Sequence, residues 1–204
     1  MDFVSSRCGC GPYSRAGWLF LRRVLRASAF VVLFAASWPQ YAAQSDVQRA
    51  EYKVKAVFLY RFASYVEWPR HVWARSDSPL VIGVIGADTL GDELTQAVAE
   101  RTVDGRPVTI RKLRRGEPIT GLHMLFIGRS EGVHVADVLA SAKDKAVLTV
   151  TESEDAFPRG SMINLVVADD KVRFDVALQP AQLADLKISA RLLGLARNVI
   201  SNPS

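Results

Sequence analysis

From residue 79 onward, short apolar runs alternate with amphipathic ones. "PLVIGVIG" (79–86), "GLHMLFIG" (121–128) and "AVLTVT" (146–151) are continuous apolar stretches of strand length, each bounded by turn residues. Such runs fit parallel strands buried on both faces. Between them, "TLGDELTQAVAE" (89–100) repeats Leu90, Leu94, Ala97 and Val98 at helical spacing, and "EGVHVADVLASAKD" (131–144) predicts a second helix. "RTVDGRPVTIRKL" sets Asp104-Gly105 between β-branched residues, a tight-turn or hairpin signal. "SMINLVVADDKVRFDVAL" (161–178) predicts two strands joined at Ala168-Asp169-Asp170, and residues 180–198 a closing helix, broken or turned near Leu186-Lys187. Strands alternating with helices predict an α/β class: a single-domain sandwich with a largely parallel sheet. Helices should cover both faces, and the C-terminal antiparallel hairpin should lie at one edge.

Upstream, "EYKVKAVFLYRFASYVEWP" (51–69) carries six of the eighteen aromatic side chains. Val54, Val57, Phe58, Phe62 and Tyr65 recur at helical spacing, while Glu51, Lys53 and Lys55 fall off that stripe. Pro69 should end the helix, because the residue before a proline avoids helical angles. The charges and the length argue against a membrane span. An amphipathic helix with an aromatic seam is expected to be core.

The first 26 residues hold five arginines against one acid, and an uncharged run, Ala27 to Ser37, follows. That run is 11 residues long, short of the roughly 20 that cross a bilayer. Small residues then offer cleavage between about 37 and 43. The order matches a secretory signal peptide over residues 1–43, leaving a mature domain at 44–204 and a periplasmic destination. Removing the segment leaves 21 basic and 20 acidic residues, so the basic excess belongs to the leader and gives no nucleic-acid surface. The run Arg111-Lys112-Leu113-Arg114-Arg115 is expected to be a solvated strand end. Cys8 and Cys10 both precede the apolar run, so the mature chain has no disulfide, thiolate nucleophile or cysteine metal site.

Catalytic patterns are weak. "GRSEG" (128–132) matches a nucleophile elbow between strand and helix. The only later histidine, His134, sits four residues on in the same helix and cannot serve as its base. Ser130 is therefore expected to cap that helix. Gly83, Gly86 and Gly91 lack dinucleotide or P-loop spacing. His71, His123 and His134 are scattered, and His123 is expected to be a satisfied core histidine. Asp92-Glu93, Glu152/Glu154/Asp155 and Asp169-Asp170 are expected at turns and helix starts, where solvation and the helix dipole account for them. No enzyme activity, cofactor or metal is expected; the chain should act by binding.

Two blocks carry a resemblance. "KAVFLYRFASYVEWP" (55–69) and "GSMINLVVADDKVRFDVALQPAQLADLKISARLLGLA" (160–196) resemble the two ends of the YfiR family, with similar motifs in order between them, over about residues 48–198. The resemblance implies a periplasmic α/β protein, commonly dimeric. It implies a repressor that holds the periplasmic region of an inner-membrane diguanylate cyclase and lowers cyclic-di-GMP synthesis. An OmpA-like outer-membrane lipoprotein releases the cyclase in some systems. The redox control of some members has no cysteines to act through here. Candidate contact residues are Tyr60, Arg61, Glu67 and Trp68 in the first block. In the last block they are Arg173, Lys187 and Arg191, with Asn164 expected to satisfy backbone groups nearby. The alternative is a solute-sensing protein holding an anionic or aromatic small molecule near the strand ends.

Overall fold

The three apolar runs form the middle of one sheet. In the computed structural model, which describes residues 38–201, they are β2 (Leu80–Ile85), β5 (Met124–Ile127) and β6 (Leu148–Thr151). They pair in parallel, with β2 beside β5 and β5 beside β6. On the far side of β2 runs β4 (Arg106–Leu113), also parallel, whose hairpin partner β3 (Thr102–Val103) forms that edge. The hairpin turns at Asp104 and Gly105, both with positive φ. On the other side lies β7 (Ile163–Ala168), parallel to β6 and joined to antiparallel β8 (Lys171–Ala177) through Asp169 and Asp170, again at positive φ. A short β10 (Asn198–Ile200) runs parallel to β8 and flanks this late hairpin.

Side-chain alternation splits the sheet into two packed layers. Leu80, Ile82, Val84, Met124, Phe126, Leu148 and Val150 face the larger core, shared with helix α1 (Trp38–Tyr65) and helix α2 (Asp88–Val98). Ile85, Leu125 and Ile127 face the smaller core under α3 (Val135–Ala142) and the 114–122 connection. Helices therefore cover both faces. The chain leaves β2 toward β4 on one side and returns to β5 on the other, so a topological switch point lies at the carboxyl ends of β2 and β5. Residues 47–201 carry the architecture described here.

Four local expectations change. The buried stripe of α1 is Tyr52, Ala56, Leu59, Phe62, Ala63 and then Val66, whereas Val54 and Val57 are 46% and 43% exposed. Both stripes have helical spacing; the buried one contains the alanines that let the helix lie close to the sheet. Lys55, expected at the surface, is wholly buried. The helix also stops before Pro69: β1 (Val66–Glu67) intervenes, and Pro69 instead opens a 3-10 turn at Arg70–Val72. The segment 180–198 is not one turned helix. It holds α4 (Leu178–Leu183), β9 (Lys187–Ile188), α5 (Ala190–Leu193) and the start of β10, because Asp185 at φ 56° ends α4 and Lys187–Ile188 find a strand partner in β1. Residues 1–37 of the expected leader, with Cys8 and Cys10, lie outside the described residues.

Candidate partner-binding corner

The end of α1 and the last third of the chain meet in a two-stranded antiparallel ladder. Val66 stands opposite Ile188 and Glu67 opposite Lys187. Ser189 N–H extends the ladder by donating to Tyr65 O at 3.0 Å. The Ser189 hydroxyl then caps α5, accepting from Leu192 N–H at 3.3 Å. That short helix carries Arg191 over the Tyr65 ring, 5.7 Å from its centroid. One helical turn before Tyr65, exposed Arg61 shares its face. Arg191 thus lies over Tyr65, Arg61 stands one helical turn before it, and Lys187 faces the acid Glu67 across the adjoining ladder. Beneath, Phe58 and Phe62 of α1 pack edge-on against Phe174 of β8 at 5.8 and 5.0 Å between centroids.

Trp68 closes the other side of the corner. Its indole N–H donates to His123 O at 2.9 Å, and its ring meets Trp73 and His123 edge-on. Trp73 is stacked between two partners: the His123 ring at 4.1 Å and 19°, and the Arg106 guanidinium 4.0 Å from its centroid. Arg106 also donates to Ser78 O at 2.9 Å and to Arg75 O at 3.3 Å, strapping residues 73–79 to β4. His123 Nδ1 accepts from Val81 N–H at 3.1 Å, so the neutral ring carries its proton on Nε2. Nε2 is buried with no partner among the described residues; the histidine is only half satisfied. Burial, and then the Arg106 charge, lower its pKa to about 4.

A buried ionic network anchors α1 to the carboxyl end of the sheet. Lys55 Nζ bonds both Glu152 and Glu51. Glu152, after β6, also accepts from Arg129 N–H at 3.1 Å and Tyr52 O–H at 3.4 Å. Arg129, after β5, pairs with Glu51 and lies 3.6 Å from Glu152. Two carboxylates and two cations balance. Burial raises the Glu51 pKa, yet Lys55 and Arg129 outweigh it and hold the carboxyl below its ordinary value. Burial, reinforced by the Glu152 charge, pushes the Tyr52 phenol up.

The corner joins the first and last blocks of the chain, and a family profile described as YfiR/HmsC-like matches residues 52–197. The chain belongs to that family. A search among curated proteins finds no match.

In this YfiR/HmsC-like chain, Arg61, Glu67, Lys187 and Arg191 come together, with Trp68 beside them. Tyr60 turns elsewhere: its hydroxyl donates to Thr102 O at 3.1 Å, and Arg101 lies 5.3 Å from its ring centroid. Arg173 stands exposed on β8 opposite Val166, outside the corner, without a side-chain partner among the described residues. In sequence Tyr65 belongs to the seam rather than to the site, and nothing local marks Ser189 or Arg106, whose partners are distant in the chain.

Several single-residue expectations are corrected. Ser130 caps no helix: its hydroxyl donates to Gly86 O at 2.8 Å, tying two strand-to-helix turns together. A side chain could not enter there, since a Cβ on Gly128 would lie 2.3 Å from Gly86 O. His134, already set aside as a base for Ser130, lies 3.8 Å from Asp137. Glu152 is a buried anchor, not a solvated turn acid, and Glu93 is buried against Arg49 at 2.7 Å. Arg111 holds Pro118 O and Thr120 O, Lys112 pairs with Asp92 at 2.6 Å, and Arg115 with Glu131 at 3.0 Å; the basic run is mostly bonded. Asn164 accepts from the Thr151 hydroxyl at 2.9 Å rather than serving the backbone.

Proposed function

We propose that the exported chain is a non-enzymatic periplasmic regulator that binds the periplasmic region of an inner-membrane diguanylate cyclase and represses it. Membership of the YfiR/HmsC-like family supports this reading, as does the absence of a catalytic pattern in the sequence. The observation that carries it to particular residues is the β1–β9 ladder, which gathers Arg61, Tyr65, Lys187 and Arg191 into one exposed corner beside Trp68. Arginine and aromatic side chains are those on which protein interfaces concentrate their energy. Homodimerisation, and release by an OmpA-like lipoprotein, belong to the same proposal.

The test is capture of the cyclase periplasmic region by the purified mature chain, with deletion of the gene read in parallel. Deletion is expected to raise cyclic-di-GMP. The Arg61→Glu/Arg191→Glu variant should weaken capture by about thirtyfold or more, the loss of one hot spot. Unchanged cyclic-di-GMP on deletion, together with no capture, overturns the repressor reading. Undiminished capture by the variant overturns the corner alone.

A second reading, solute sensing, is favoured by one observation. A cavity of about 390 Å³ opens over Gly86 and Ser130 at the carboxyl ends of β2, β4 and β5, the switch point at which α/β sheets hold ligands.

A further inference from the structure

Beside that cavity lies a larger one of about 520 Å³, between the 114–120 connection and α3. The two share Leu113, Arg114 and Arg115 as lining and so adjoin, as two parts of one cleft. The floor of the larger part is aliphatic: Leu113, Ile119, Leu125 and Val138, all from the smaller core. Arg115 is neutralised by Glu131. Arg114 is exposed, stands where the two cavities join, and has no side-chain partner among the described residues. It is the one cation of the 111–115 run whose side chain makes no bond among the described residues; Arg111 holds two carbonyls, and Lys112 and Arg115 pair with acids.

We propose that this cleft binds a single-chain amphiphile with a carboxylate head, its aliphatic tail along Leu113, Ile119 and Val138 and its carboxylate on Arg114. Pockets of this kind are mainly apolar with a few convergent polar groups. Among the described residues the lining holds no Phe, Tyr or Trp, and its single ring is the His134 imidazole, which favours an alkyl body over a planar ligand. Glu117 and Asp137 also line the larger part and are offset only in part by Lys145, which disfavours a dianionic head. The inference deepens the solute-sensing reading and rests on it.

Isothermal titration of the purified mature chain with decanoate tests it, with decan-1-ol and acetate as the tail and the head alone. Decanoate is expected to bind with Kd below about 1 mM and acetate not at all. Arg114→Glu, at a position with no internal partner to lose, should weaken decanoate by about tenfold or more and leave decan-1-ol unchanged. Val138→Trp should fill the cavity and abolish both. Absence of decanoate binding, or binding indifferent to both substitutions, overturns the cleft. If other metabolites stabilise wild type and Val138→Trp equally in thermal melts, solute sensing stands and this cleft falls. If nothing stabilises either, both fall.

Discussion

Lys55 is fully buried, and its charge is matched by Glu152, 97 positions away in the chain. Breaking a buried pair costs far more than replacing it whole, because the surviving charge is left in a poor medium. Lys55→Ala is expected to lower unfolding stability by about 3–5 kcal/mol, and Lys55→Met with Glu152→Leu to recover most of that. Urea melts of the two variants check it; a loss below about 1 kcal/mol in the single variant contradicts the buried pairing. This residue shows why the site was only partly legible in sequence. A lysine beside an apolar stripe looks solvated, and only the folded chain shows that the turns after β5 and β6 bring Arg129 and Glu152 to it. The same holds for His123, whose burial was foreseen but whose stacking on Trp73 and bond to Val81 N–H are long-range facts.

At the scale of elements, strand and helix identity were written plainly in the periodicity, and which face turned inward was not. Apolar runs at 79–86, 121–128 and 146–151 became β2, β5 and β6, and the Asp-rich turn at 169–170 became the β7–β8 hairpin. In α1 two stripes with the same period compete through Phe62, and packing against the sheet decided between them. The choice is testable. Leu59→Ala should cost about 2–5 kcal/mol as a cavity in the core, whereas Val54→Ser should stay within about 0.5 kcal/mol. Equal costs in thermal or urea unfolding would restore the other stripe. The C-terminal segment differs from the expected helix because a two-residue strand such as β9 has no period of its own; its partner β1 defines it. Ser189→Ala, which removes the cap of α5, should cost about 1 kcal/mol. If the corner binds the cyclase region, the same variant should weaken capture through the displaced Arg191 while leaving the fold cooperative, as circular dichroism and pull-down together would show.

At the scale of the whole domain, the near balance of 21 basic and 20 acidic residues over 44–204 makes net charge a minor influence on stability near neutral pH, so individual groups set the acid limit. His123 is held neutral by burial and by Arg106, with a pKa of about 4 against an ordinary 6.5. The unfolded chain takes up a proton as pH falls through 6.5, and the folded chain resists until about 4. Full stability is therefore present above about 6.5 and drains away between 6.5 and 4, by an amount of the order of 2–3 kcal/mol. Glu51, whose pKa is held down by Lys55 and Arg129, adds its loss lower, as pH falls below the ordinary carboxylate value. The two are separable by substitution. His123→Phe keeps a ring on Trp73 but leaves Val81 N–H unpaired, so it should lower stability at pH 7.5 and flatten the profile between 6.5 and 4.5. Tryptophan fluorescence should report the same event, because protonated His123 would face the Arg106 guanidinium across Trp73 and loosen the strap over residues 73–79. A wild-type stability flat between pH 6.5 and 4.5, or a His123→Phe profile as steep as wild type, would show that the stack does not govern the acid response.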